Sequence, residues 1–128
     1  MQITHCLHIA LFVSDLERAE YFYRNILGLQ KLERTLKFPG AWYEVGTLQV
    51  HLILVTEVPQ DIVEPEKLGR NRHLAFAVTD LSAAKARLHT HGLALQMSAS
   101  GRAALFVQDP DGNVVELSQL GEISVTGT

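Results

Sequence analysis

Four side chains able to ligate a metal ion stand out in this 128-residue chain: His8, His51, His73 and Glu116. A neutral imidazole offers a nitrogen lone pair and a carboxylate offers charged oxygens. Together they suit a borderline divalent ion such as Zn, Ni, Co, Mn or Fe. Their spacing sets them apart from ordinary polar residues: His8 and His73 lie 65 residues apart, and so do His51 and Glu116. The alternation of strand side chains puts His8 on a face with Ala10 and Phe12, and Glu116 on one with Val114 and Ser118. Polar groups on an otherwise apolar face need partners, and one metal ion can partner all four. Standing alone, each would be read as a satisfied strand histidine or a surface glutamate.

The 65-residue offset runs through the chain. His8-Ile-Ala-Leu-Phe-Val-Ser-Asp-Leu16 lies over His73-Leu-Ala-Phe-Ala-Val-Thr-Asp-Leu81 with five of nine residues identical. Val50-His51-Leu52 lies over Val115-Glu116-Leu117 at the same offset, and Gly28-Leu29 over Gly92-Leu93 within one residue. Register held over three separate segments indicates an internal duplication. Each copy reads as strand, helix and three strands. In the first, an apolar β-branched strand spans 8–13, and Ser14 with Glu17 has capping-box spacing. A helical apolar face follows over 16–27, closed by Gly28, then strands near 30–36, 41–46 and 48–55. In the second, a strand at 73–78 and a helix at 81–90 are followed by strands near 94–98, 103–108 and 113–119. Asp109-Pro110-Asp111-Gly112 is a turn in which proline presets φ and glycine permits a positive one. Residues 56–72, with two prolines and several charges, read as a surface linker. The expectation is a single α+β domain of two βαβββ modules, about 1–58 and 73–121, joined by a linker of about 59–72. Their sheets would form a curved, cupped layer with the helices outside.

Composition narrows the classes. A net charge of −3 with scattered Lys and Arg gives no electrostatic reason to expect nucleic acid or an anionic membrane. Cys6 is the only cysteine, so no internal disulfide can form. No apolar run reaches the ~20 residues of a membrane helix, and the start has neither a basic segment nor a cleavage site typical of a leader. A cytoplasmic protein is expected. His5 falls on the opposite strand face from His8. His89 and His91 end a helix, where a cation is ordinarily found. Cys6 is given no role. Arg102 is read as a surface arginine that could instead meet an anionic substrate group, and Trp42-Tyr43 as core aromatics that could instead line a pocket.

The chain resembles the vicinal oxygen chelate superfamily, which includes glyoxalase I, methylmalonyl-CoA epimerase, extradiol dioxygenases, fosfomycin-resistance thiol transferases and bleomycin-resistance binding proteins. The resemblance rests on the segment from His8 to Leu16 with Phe22-Tyr23 and Leu27-Gly28-Leu29, on His73-Leu-Ala-Phe-Ala-Val78, and on Phe106-Val-Gln-Asp-Pro-Asp-Gly-Asn-Val-Val-Glu116-Leu117. It implies the paired βαβββ glyoxalase-like fold, metal ligands at His8, His51, His73 and Glu116, a homodimer, and a small-molecule substrate that chelates the metal through adjacent oxygens. By analogy with glyoxalase I the expected activity is that of an isomerase or lyase, with Glu116 as ligand and candidate catalytic base. Where bacterial glyoxalases carry a second-ligand glutamate and two glutathione-contacting residues, this chain has His51, Phe12 and Val55. That points to a substrate other than a glutathione adduct. Ring-cleaving dioxygenases and fosfomycin enzymes use three protein ligands, which here would be His8, His73 and Glu116. Bleomycin-type binders use none.

Overall fold

The computed structural model describes residues 1–121. The chain divides into two compact units, Met1–Pro59 and Gln60–Thr128. In the first unit β1 (His8–Val13) leads into α1 (Leu16–Glu20), which continues as a wider, π-type helical segment (Tyr21–Ile26). Three strands follow: β2 (Gln30–Leu32), β3 (Gly40–Val45) and β4 (Leu48–Leu54). The sheet order is β1-β4-β3-β2, with β1 parallel to β4 and the other pairs antiparallel.

The second unit repeats the plan. It opens with a short 3-10 turn (Leu68–Arg70), followed by β5 (His73–Val78), α2 (Leu81–Thr90), β6 (Leu95–Met97), β7 (Ala104–Gln108) and β8 (Val114–Gln119). Its sheet order is β5-β8-β7-β6, again with only the first pair parallel. This is the α+β, twice-βαβββ architecture expected from the repeat.

Both helices start from an aspartate. Asp15 accepts from the Arg18 N–H at 3.0 Å and Asp80 from the Ala83 N–H at 3.1 Å, so each satisfies one of the donors that a helix N-terminus leaves open. This moves the first cap from Ser14 to Asp15 and replaces the expected Ser14–Glu17 box. Gly28 and Gly92 end the helices at φ +77° and +71°, a left-handed conformation that side chains resist. The first helix widens where the Leu27 N–H reaches back five residues to the Phe22 carbonyl. In that segment Phe22, Tyr23 and Ile26 are all buried.

In each unit one sheet face is buried and the other carries the site. In the first, Val13, Ala41, Tyr43, Val50 and Leu52 are buried along with Ala19, Phe22 and Tyr23 of the helix, which packs on β3 and β4. In the second, Leu74, Phe76, Leu105, Val107, Val115 and Leu117 are buried with Leu81 and Leu88, from a helix packed on β7 and β8. At about 25 cal/mol per Å², burial of such aliphatic and aromatic side chains is the main force holding each sheet to its helix.

Residues 60–72 belong to the second unit. Asn71, 7 % exposed, organises them. Its Oδ1 accepts from the Val63 and Glu64 N–H groups at 2.6 and 2.9 Å. Its Nδ2 donates to the carbonyls of Glu64 and Leu68 at 2.9 and 3.1 Å. The loop thereby seats Leu68 against Phe106 and Val114 on the open face of the second sheet, with Ile62 beside them.

Candidate metal half-sites

Register places the chemistry. In the first sheet, Ala10, His51 and Trp42 lie side by side across β1, β4 and β3. In the second sheet the row is Ala75, Glu116 and Phe106 across β5, β8 and β7. His8 and His73 each stand two residues before the alanine of their row, so alternation keeps them on the same face as His51 and Glu116 respectively. Each unit therefore brings two of the four candidate ligands onto one sheet face, His8 with His51 and His73 with Glu116. Among the described residues no three or more His, Cys, Asp or Glu side chains gather as a cluster. Cys6 is exposed.

His73 and Glu116 form a defined pair. The Nδ1 of His73 lies 2.7 Å from the Asn71 carbonyl, and its Nε2 lies 3.1 Å from Glu116 Oε1. A carbonyl only accepts, so Nδ1 carries the proton, and a neutral ring then turns the lone pair of Nε2 toward a carboxylate oxygen. Two acceptors facing one another at that distance need a cation between them, either a proton on Nε2 or a metal ion. A backbone carbonyl holding the far nitrogen is also the usual way a metal-binding imidazole is oriented. Two ligand atoms at about 2.1 Å from one ion and at right angles stand about 3 Å apart, close to the observed 3.1 Å. The pair therefore fits a divalent metal.

Glu116 is 8 % exposed. Its other oxygen accepts from the Ser118 hydroxyl at 2.5 Å and from Arg102 Nη1 at 3.4 Å. Burial alone would raise its pKa; the hydrogen bonds from Ser118, His73 and Arg102, with the arginine's charge, outweigh burial and hold it below the ordinary carboxylate value. Phe106 stands edge-on to His73, ring centres 5.7 Å apart. Beside the pair opens a cavity of about 590 Å³, lined by Leu68 and Phe106 and by the cationic side chains of Lys67, Arg70 and Arg102.

The first unit's pair is arranged differently. His51 is sandwiched: the Trp42 ring lies 3.8 Å away at 4°, and the His8 ring 4.1 Å away at 15° on centroid measures. Arg34 caps the column, 4.5 Å over Trp42. His51 Nε2 lies 2.9 Å from Gln49 Oε1, which leaves Nδ1 to carry a lone pair. Burial, then the neighbouring His8 and Arg34 charges, lower the His51 pKa and favour the neutral, ligand-competent ring. Ring lone pairs lie in the ring plane, however, and two nearly parallel planes do not share a nearby point. As stacked, His8 and His51 cannot both bind one ion; one ring would first have to turn. The indole N–H of Trp42 is buried with no hydrogen-bond partner among the described residues, so an oxygen of a substrate or water would be its natural acceptor.

Residue-type reasoning missed Asn71 and Ser118. Ser118 could have been found, since it lies two residues beyond Glu116 on the same strand face. Asn71 left no comparable signal, because its role depends on a loop conformation. Arg102 was noticed but read chiefly as surface; its side chain is 57 % exposed and paired with Glu116.

Known proteins agree with this architecture. A curated catechol-2,3-dioxygenase of Bacillus subtilis is 35 % identical over 119 residues, covering 89 % of this chain and 41 % of that protein. Human mitochondrial methylmalonyl-CoA epimerase is 29 % identical over 126 residues, covering 88 % and 72 %. A crystal structure of a glyoxalase family protein from Bacillus anthracis superposes with a TM-score of 0.78 at 20 % identity, over 94 % of this chain and 98 % of that one. The family described as the Glyoxalase/Bleomycin resistance protein/Dioxygenase superfamily matches residues 5–117. That match, over most of the chain, places it in this superfamily, and it is a member of it.

Proposed function

We propose that this chain is a divalent-metal-dependent enzyme whose small substrate binds through two adjacent oxygens, with His73 and Glu116 among the metal's protein ligands. The His73–Glu116 pair carries the reading: with Nδ1 of His73 on the Asn71 carbonyl, Nε2 faces Glu116 Oε1 at 3.1 Å, a separation that a divalent ion can bridge in place of a proton. A divalent ion there would supply Lewis acidity toward the substrate's oxygens. The remaining work falls to the chain. The Asn71 carbonyl fixes the His73 ring and Ser118 keeps Glu116 anionic. Leu68 and Phe106 present an apolar wall to the substrate.

The reaction type turns on how many ligands the first unit contributes. Three protein ligands leave an octahedral ion room for a chelating substrate and one further small ligand, as ring cleavage by dioxygen or thiol transfer requires; four leave room for the chelate alone. The stacking of His51 between Trp42 and His8 supports three ligands, since as stacked at most one of the two histidine rings can serve. Likeness to a catechol-2,3-dioxygenase runs in that direction too. The four-ligand isomerase or lyase reading, with Glu116 as base, is the second. It draws on the register, which gives His51 the same place in its sheet that Glu116 has in the other.

Metal analysis of wild type, Glu116→Gln and His51→Ala after purification with divalent metals tests the reading. Stoichiometric metal in the wild type and in His51→Ala, with loss in Glu116→Gln, is the expected result. Loss in His51→Ala as well would transfer support to the four-ligand isomerase. A wild type that takes up no metal would sink the enzyme reading in favour of a non-catalytic small-molecule binder. Assays with a catechol and with a hemithioacetal then separate the chemistries.

A further inference from the structure

We infer that Arg102 is a substrate-specificity residue: it selects a metal-chelating substrate that also bears a carboxylate, which it clamps at the mouth of the second unit's cavity. The inference rests on the metal reading above and goes beyond it by naming the anionic group that the substrate must carry.

Three observations support it. First, Arg102 is weakly held. Its Nη1 is 3.4 Å from Glu116 Oε2 and its Nε is 3.3 Å from the Ser100 hydroxyl, both at the long limit for hydrogen bonds. More than half of its side chain is exposed, at 57 %. Such a contact in solvent is worth little and is given up readily. Second, a divalent ion on Glu116 would draw on the same carboxylate and repel the guanidinium, so loading the site frees Arg102 for another anion. Third, the cavity that Arg102 lines also holds Lys67 and Arg70, while the carboxylates on its wall are Glu66 and Glu116. Once Glu116 is committed to a cation, the wall has a net positive balance and favours an anionic guest. Leu68 and Phe106 offer that guest an apolar body contact. The planar guanidinium accommodates a carboxylate through two parallel N–H donors, which a lysine cannot do.

Isothermal titration of zinc-loaded protein with 3,4-dihydroxybenzoate and with its neutral amide tests this directly, since zinc is redox-inert and neither probe is consumed. The two differ only in the charge that Arg102 is said to read. The acid is expected to bind at least about tenfold tighter than the amide, in line with a hydrogen-bonded charge pair. Arg102→Met, compared at a zinc loading matched to wild type by metal analysis, should reduce that ratio to about one, and Arg102→Lys should restore part of it. A wild type without preference for the acid, or a preference that survives in Arg102→Met, overturns the inference. Circular dichroism of each variant separates these outcomes from misfolding. If no zinc is taken up, the metal reading fails on its own count. The inference then falls with it, since Arg102 stays paired with Glu116 in the metal-free site.

Discussion

A carboxylate that accepts from a serine hydroxyl and a guanidinium gains more from those donors as an anion than as an acid, and Glu116 accepts from both. The same donors that make it a firm ligand make it a reluctant base. Ser118 is the strongest lever on that state because its hydrogen bond is the shortest, at 2.5 Å. Removing it with Ser118→Ala should weaken divalent-metal affinity about 10- to 100-fold, the range seen when the outer partner of a ligand is lost. Titration with a competing chelator reads this, and an unchanged affinity would mean that Glu116 is not the ligand. Asn71 acts one step further out. Replacing it with alanine leaves the N–H groups of Val63 and Glu64 and the carbonyls of Glu64 and Leu68 without their partner. With each such orphan costing on the order of 1 kcal/mol or more, a loss of about 3 kcal/mol in urea unfolding is expected. Metal binding should weaken with it, because the released loop no longer holds the residue-71 backbone carbonyl against His73 Nδ1.

At the level of elements, the sequence disclosed what repeats and concealed what is built only once. The strands, both helices and their glycine ends were legible because the duplication printed each signal twice: Gly28 with Gly92, His8 with His73. The equivalence of Glu116 with His51 was legible for the same reason, whereas the contact of Glu116 with His73 was not. The segment 60–72 was not, since Asn71 organises it through backbone groups that carry no residue-type signature, and charges with prolines looked like a linker. The π-type widening of the first helix and the His51 stack were equally hidden, being outcomes of packing rather than of pattern. Gly69 in the 3-10 turn belongs to this concealed set. A Cβ there would lie 2.6 Å from the Phe106 ring, and Phe106 sits beside Glu116 in register and edge-on to His73. Gly69→Ala is thus expected to push Phe106 toward the pair and to destabilise the fold by about 1–3 kcal/mol, as overpacking does. A urea midpoint that does not move would show that the turn yields instead of the ring.

For the whole molecule, two buried titrating groups on separate sheets set opposite limits on stability with pH. Tyr43 has no exposed surface. Its hydroxyl donates to Glu20 Oε1 at 3.3 Å, and Lys31 pairs with the same oxygen at 2.7 Å. Burial, then the Glu20 charge and hydrogen bond, raise the Tyr43 pKa well above its ordinary value, with Arg24 pulling weakly the other way. A raised pKa means that the folded chain holds this proton more tightly than the unfolded one. Its contribution is complete below about pH 10 and is lost as pH climbs toward the folded value. Glu116 is the reverse case. Its lowered pKa gives a contribution that is complete above the ordinary carboxylate range, near pH 4, and is lost as pH falls through the folded value. Urea midpoints of the metal-free protein should therefore hold a plateau between these limits and fall beyond both. Tyr43→Phe should flatten the alkaline fall while costing about 1 kcal/mol at neutral pH for the lost hydrogen bond. Glu116→Gln should flatten part of the acid fall and leave the alkaline one alone. If either substitution altered the opposite limb, the two groups would be coupled, and independent titration on the two sheets would be the wrong account of the curve.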